Sequence, residues 1–253
     1  NFLVDHAARL IYVQPSFQNP TGNIMPMHRR RQLLNLAHEY GVTVVEDGTY
    51  HEFRFEGESL LPLKAIDEHH NVIHISGFTK MLLPGMRIGY IISGNHYLER
   101  LVRVKLAADI STSGLNQRAI HLMIQRGVLA QALERNNREL QRRRDAALAA
   151  AKQYFPAGTT WTVPQGGLYL WARLPRHGPG AAELYVAALQ RQVSFAIGSV
   201  FFTDGCGSHR MRLNYGLQRP ELIEEGFRRI GETWHSLMDT EGDYDHAEKA
   251  QVL

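Results

Sequence analysis

The chain has 253 residues and a mass of 28.7 kDa, which at roughly 150 residues per domain makes about 1.7 domains. A hydrophobic content of 44% is enough for a core, and 28 basic against 25 acidic residues leave +3, too little for a nucleic-acid glove. The one cysteine, Cys206, excludes a disulfide framework and fits a reducing compartment, while Lys80, Arg87 and scattered Gly and Pro break every apolar run short of a membrane span. The chain starts at Asn1, with no Met and no signal-like segment, and Ala8 to Val13 reads as a strand almost at once. It is therefore expected to be a piece of a longer gene product.

In chain order, Leu10 to Gln14 reads as a strand, followed by the loop Pro15 to Gly22. Pro26 to Tyr40 reads as a helix stopped by Gly41, with Leu33, Leu34 and Ala37 on one face and Arg29, Arg30, Arg31 and Glu39 elsewhere. Val42 to Glu46 is a buried strand ending at Asp47, and Val72–Ser76 and Ile88–Ile92 are two more. Strand, helix, strand predicts a βαβ unit and a parallel sheet. From about residue 96 helices are expected over His96–Asp109, Leu115–Arg126 and Leu129–Tyr154. Strands follow at Thr160–Val163 and Leu168–Arg173, a helix at Ala181–Gln192, strands at Val193–Ile197 and Met211–Tyr215, and a helix at Pro220–Met238. This predicts an α/β large domain over 1–95, a small α+β domain over 96–238, and a polar, frayed tail over 239–253.

Open α/β sheets bind ligands beyond the carboxyl ends of their strands. Asn19, Asp47, Tyr50, Lys80 and Arg87 all fall near such ends. Each also has an ordinary reading: a turn asparagine, a capping aspartate, a solvated lysine, and for Arg212 a surface ion pair. Taken together they suit an anionic, aromatic, electrophilic ligand, and pyridoxal 5′-phosphate (PLP) needs this set. Its aldehyde needs a lysine amine, its ring nitrogen a carboxylate, its hydroxyl oxygen an amide and a phenol, and its phosphate hydroxyls and an arginine. An amino-acid substrate adds a carboxylate that an arginine holds best.

Six passages in this order are specific: Gln14-Pro15-Ser16-Phe17-Gln18-Asn19-Pro20-Thr21-Gly22, Val45 to Gly57, Phe78 to Tyr90, Ser111 to Ala119, Gly166-Gly167-Leu168-Tyr169-Leu170-Trp171, and Arg212-Leu213-Asn214-Tyr215. With them the chain resembles the fold-type I, aspartate-aminotransferase-like PLP proteins to about residue 238. Within these it is most similar to the aminotransferase-like domain of MocR-type regulators, a subfamily of the GntR transcription factors. The resemblance implies a PLP-dependent transferase fold, with a partial large domain and a small C-terminal domain. It implies Lys80 as the Schiff-base lysine, Asp47 at the pyridine nitrogen, Asn19 and Tyr50 at the ring hydroxyl oxygen, Arg87 at the phosphate, and Arg212 as the clamp for a substrate or effector carboxylate. Where the family usually has a phosphate-binding Ser or Thr, three residues before the lysine, this chain has Gly77; Ser76 or Thr79 is the substitute candidate.

The resemblance also implies that a Gly-rich phosphate loop and a ring-stacking aromatic belong upstream of Leu10, and a winged helix further upstream still. Without them the chain alone is expected to bind PLP poorly. A homodimer is implied, with residues 111–117 near its interface, and so is DNA contact only through the upstream domain. The expected function is a cytoplasmic, PLP-binding sensor of an amino acid or amine; the alternative is an aminotransferase acting on an α-amino acid. No metal site is expected, because the 13 histidines show no ligand spacing. Cys206 and His209, in a Gly-rich loop, lack the frame of a nucleophile pair. Arg135, Arg138, Arg142, Arg143 and Arg144, interleaved with acids, are expected to form a solvated helix face.

Overall fold

The computed structural model describes residues 8–250, with side chains through residue 239. Two compact units make up the chain: residues 1–18 with 23–138, and residues 19–22 with 139–253.

The first unit holds a four-stranded sheet in the order β1 (Leu10–Val13), β2 (Thr43–Asp47), β3 (Val72–Gly77), β4 (Gly89–Ile92). β1, β2 and β3 run parallel, as a βαβ unit requires, and α1 (Met27–Glu39) makes the crossover between the first two. β4 is antiparallel to β3. The connection over residues 78–88 is shorter than the dozen or so residues that a parallel crossover needs. Pro26 fixes the backbone just before α1, and Gly41, at φ +62, takes the chain out of it.

The buried face of α1 carries Arg30, Leu34 and Ala37, spaced i, i+4, i+7. Leu34 and Ala37 pack with Val44, Leu63 and Val72 in the core of this unit. Arg30 was expected off the apolar face; it is instead fully buried. Its guanidinium donates to the carbonyls of Met25, Leu61 and Pro15 and to Ser16 Oγ, at 2.8–2.9 Å. Three loop carbonyls make this arginine a structural tie.

Beyond β4 come α2 (Asn95–Ala108), α3 (Gly114–Gln125) and α4 (Val128–Tyr154), the division between units falling inside α4. The Ser113 hydroxyl accepts from the Asn116 amide and caps α3. The basic stretch of α4 divides. Arg138 pairs with Glu134 and Arg142 with Glu139 on the exposed side. Arg144 departs from the expected solvated face: it is buried and donates to the Pro164 carbonyl at 2.7 Å and to Asp145.

The second unit has an antiparallel sheet in the order β5 (Thr160–Trp161), β6 (Tyr169–Arg173), β8 (Arg210–Asn214), β7 (Ala196–Ile197). Against it lie α5 (Ala181–Gln190) and α6 (Pro220–Ala250). Leu170, Leu174, Leu184, Met211 and Ile230 are fully buried, each worth about 1.5–3 kcal/mol over exposure. Phe155 stacks on Phe227 at 5.2 Å. Two strands are shorter than expected. Val193 is used to close α5, its amide donating to the Ala188 carbonyl after Gln192 turns at φ 58. The strand from Thr160 stops before Pro164, which has no amide to donate. The last helix continues past Met238, where the polar tail was expected to begin. Residues 251–253 of that tail lie outside the described residues.

Candidate functional site

In the first unit the polar residues gather at the carboxyl end of the parallel strands. Asp47 ends β2 and is buried. Its Oδ2 accepts the Tyr12 hydroxyl at 2.5 Å and Gln14 Nε2 at 2.6 Å. Its Oδ1 accepts the Thr49 amide at 2.9 Å and the Thr49 hydroxyl at 2.5 Å. Burial alone would raise this carboxyl. The hydrogen bonds from Thr49, Tyr12 and Gln14 outweigh burial and hold it below the ordinary aspartate value.

Glu46 faces the other way, as alternation along a strand requires. It is 1% exposed and accepts from the Leu63 and Lys64 amides and from His74 Nδ1, the last at 2.9 Å. Burial pushes its carboxyl up, but the bonds from His74, Lys64 and Leu63 bring it below the ordinary glutamate value. The His74 ring lies against Gly48, where an added Cβ would come within 2.4 Å of the imidazole. Glycine is thus required between Asp47 and Thr49, and the turn that supplies two of Asp47's donors rests on the Glu46–His74 pair.

Tyr50 follows that turn and is buried, its ring 6.4 Å from that of Phe53. The Ser76 hydroxyl donates to the Gly48 carbonyl at 3.3 Å, which ties β3 to the same turn. Thr79 is half-buried, and Lys80 and Arg87 are exposed on the 78–88 loop. Arg87 closes the short 3₁₀ turn Pro84–Met86 in the left-handed region, at φ 51. Gly77 pairs with Gly89 at the root of this loop, and a Cβ there would lie 3.0 Å from the Ile88 carbonyl oxygen. The missing hydroxyl at this position therefore has a packing account.

The second unit contains Asn19 and Arg212. Arg212 Nη1 donates to Asn19 Oδ1 at 2.8 Å. Its guanidinium lies over the Tyr169 ring at 4.3 Å and the Phe201 ring at 5.1 Å. Its Nε is buried without a hydrogen-bond partner. The strands explain this placement, since Arg212 pairs with Trp171 on β6 and with Ala196 on β7. The Asn19 bond and the two rings restrict the side chain, which suits a receiver of an anion.

Sequence reasoning missed four residues. Tyr12, Gln14 and Thr49 hold Asp47, and His74 supports the turn. A signal existed for the first two. They are polar, alternate by two on an otherwise apolar strand, and therefore face one side together. Among the described residues, no group of three or more His, Cys, Asp or Glu is placed to hold a metal ion, and no helix is long and apolar enough to cross a membrane.

The depressed carboxyls have a pH consequence. Asp47, Glu46 and Asp67 lie below their ordinary values of 3.8, 4.5 and 3.8. A carboxyl depressed in the folded state adds stability that is fully present above its unfolded value and is lost as pH falls through the folded one. Thermal melts followed by circular dichroism should decline slightly below about pH 6.5, where burial holds the His51 imidazole below its ordinary value, and fall more steeply between about pH 4 and 2. A Glu46→Gln variant should start lower and depend less on pH. Equal slopes in both proteins would count against this assignment.

The family model for aminotransferase class I and II matches residues 5–230. The 2-aminoadipate transaminase of Thermus thermophilus is 37% identical over 91% of this chain and 58% of its own length. An uncharacterized HTH-type transcriptional regulator of Bacillus subtilis is 32% identical over 92% of this chain and 48% of its own. The chain thus spans about half the length of these relatives. In structure it is similar to the multiple substrate aminotransferase of Thermococcus profundus, with a TM-score of 0.88 and 33% identity over 94% of this chain and 60% of that one. A parallel sheet ending in a hydrogen-bonded aspartate and a match over most of the sequence agree, and the chain belongs to the class I and II aminotransferase family.

Proposed function

We propose that this chain is the PLP-binding, aminotransferase-like effector domain of a MocR/GntR-type transcriptional regulator. The observation that carries the cofactor is the Asp47 carboxylate, buried at the end of β2 and kept ionised by four donors. Such a group suits a protonated ring nitrogen. The resemblance assigns the other donors to the same cofactor. Lys80 offers an amine, Arg87 a cation for the phosphate, Ser76 and Thr79 hydroxyls, and Asn19 and Tyr50 partners for the ring oxygen. When bound, PLP supplies an electrophilic aldehyde and an electron-withdrawing ring. In this reading Lys80 would supply the amine that meets the aldehyde and, when free, the base for the proton at the Cα of an amino acid, while Arg212, steadied by Asn19 and two rings, would hold the carboxylate.

The regulator reading is supported by relatives named as HTH-type regulators, which match 88–92% of this chain. It includes a homodimer, a cytoplasmic location, and DNA binding by a segment outside this sequence. The enzyme reading has its own support: relatives named as aromatic-amino-acid aminotransferase and 2-aminoadipate transaminase are 36% and 37% identical.

The test uses the full-length protein reconstituted with PLP. A visible absorbance band that changes when amino acids are added is expected in both readings. A regulator should change its DNA affinity without making oxo acid beyond one equivalent. Repeated turnover with no DNA binding would decide for the enzyme, and absence of the band would overturn both.

A further inference from the structure

Asp47 lies nine-tenths buried, and a carboxyl so placed without donors drifts toward its neutral form. A neutral acid cannot balance a ring cation. Thr49 supplies two donors from the adjacent turn, an arrangement that local sequence alone can make. The other two donors are not local. Tyr12 pairs in register with Val45, and Val13 with Glu46, so Gln14 reaches the level of Asp47. Period-two alternation then turns Tyr12 and Gln14 to the Asp47 side of the sheet. Both end on the same oxygen, Oδ2.

The chemical type of these donors is informative. A lysine or arginine in their place would neutralise the carboxylate and compete with a cationic ligand. A phenol and an amide stabilise the charge by hydrogen bonding and leave its negative field intact. Among the described residues around it, Ile75 on β3 is the register partner of Asp47, Glu46 turns to His74 on the opposite face, and His51 Nδ1 meets Ser16 Oγ. Of the groups bonded to Asp47, Tyr12 alone titrates. Burial, with the bond to Asp47, pushes its phenol up to about 12, so it remains a donor at working pH.

We propose that Tyr12 and Gln14 are positioning residues of Asp47: their donors converge on Oδ2 to fix the carboxylate plane and keep it ionised where it meets a protonated ring nitrogen. This deepens the PLP reading and rests on it for the identity of the partner. Because Tyr12 is 58% exposed, Tyr12→Phe removes one hydroxyl with little disturbance of packing.

The first measurement needs no cofactor. In the full chain labelled with 13C at the aspartate carboxyls, and with Asp47→Asn to assign the signal, Tyr12→Phe and Gln14→Leu should each move the Asp47 titration upward by about one pH unit. The second uses the PLP-loaded full-length protein. Tyr12→Phe/Gln14→Leu, with two upward shifts of about one unit each, should release PLP at least about twofold faster than the parent protein near pH 5, where Asp47 begins to lose its charge, and at the parent rate near pH 8. An unmoved titration overturns the proposal, and so does faster release by the same factor at both pH values, which marks a merely structural effect. If the parent protein binds no PLP, the cofactor reading fails by itself, and the titration still judges the roles of Tyr12 and Gln14 toward Asp47.

Discussion

Replacing Lys80 with alanine in the PLP-reconstituted full-length protein is expected to abolish the visible band and to lower any transamination by about 10²–10⁴-fold or more. The side chain is exposed on the 78–88 loop. Its loss should therefore change the stability of the cofactor-free protein by no more than about 0.5 kcal/mol. That separation is the informative part, since the folded protein and its cofactor-free melting temperature survive while the chemistry goes. Lys80→Arg should not restore the band, because a guanidinium stays protonated and cannot act as an amine nucleophile. An unchanged band in Lys80→Ala would refute the assignment.

The largest stability loss is expected at Arg30. Arg30→Met keeps much of the volume and the unbranched chain but removes four hydrogen bonds, to the Met25, Leu61 and Pro15 carbonyls and to Ser16 Oγ. Carbonyls left buried without a donor cost about 1–3 kcal/mol each. Pro15 also accepts from the Met25 amide, which moderates the sum. A net loss of about 3–5 kcal/mol is expected, read as a lower urea midpoint for the first unit. Arg30→Lys should recover only part of it, since one ammonium cannot reach acceptors set around a planar fork. A loss below about 1 kcal/mol in Arg30→Met would show that water replaces the arginine, so that the tie is weak.

The parts of the fold legible in the sequence were those written as period and punctuation. The βαβ start, the four strands of the first unit, the long α4 and the strands of the small second sheet follow from apolar runs bounded by Gly and Pro. Less legible were polar residues that serve the core. Arg30 lies in a run of three arginines and looks solvated until its spacing to Leu34 and Ala37 is noticed. Arg144 is hidden in the same way on α4. Strand ends were missed where a neighbouring element claims the backbone, as α5 claims Val193. The site showed the same split. Asp47 and Lys80 stand out because their residue types announce chemistry. Tyr12 and Gln14 matter only through the parallel register that brings β1 beside β2, and a register is a property of two segments at once.

The antiparallel turn from β3 to β4 has a consequence for how this protein can vary. The loop carrying Lys80 and Arg87 is shut at its root by the Gly77–Gly89 pair and by the Phe78 amide on the Ile88 carbonyl, at 2.9 Å. Inside it the Leu82 amide bonds Phe78, the Met86 amide bonds Leu83, and Asn116 on α3 donates to the Met86 carbonyl. Surface loops ordinarily absorb inserted residues with little harm. This one acts as a ruler between an amine and a guanidinium. Inserting or deleting a residue between Met81 and Met86 changes that measured distance before it touches the hydrophobic core. If Lys80 and Arg87 hold PLP as proposed, the ligand sets the loop length here, and engineering that seeks tolerance to insertion should turn to other loops.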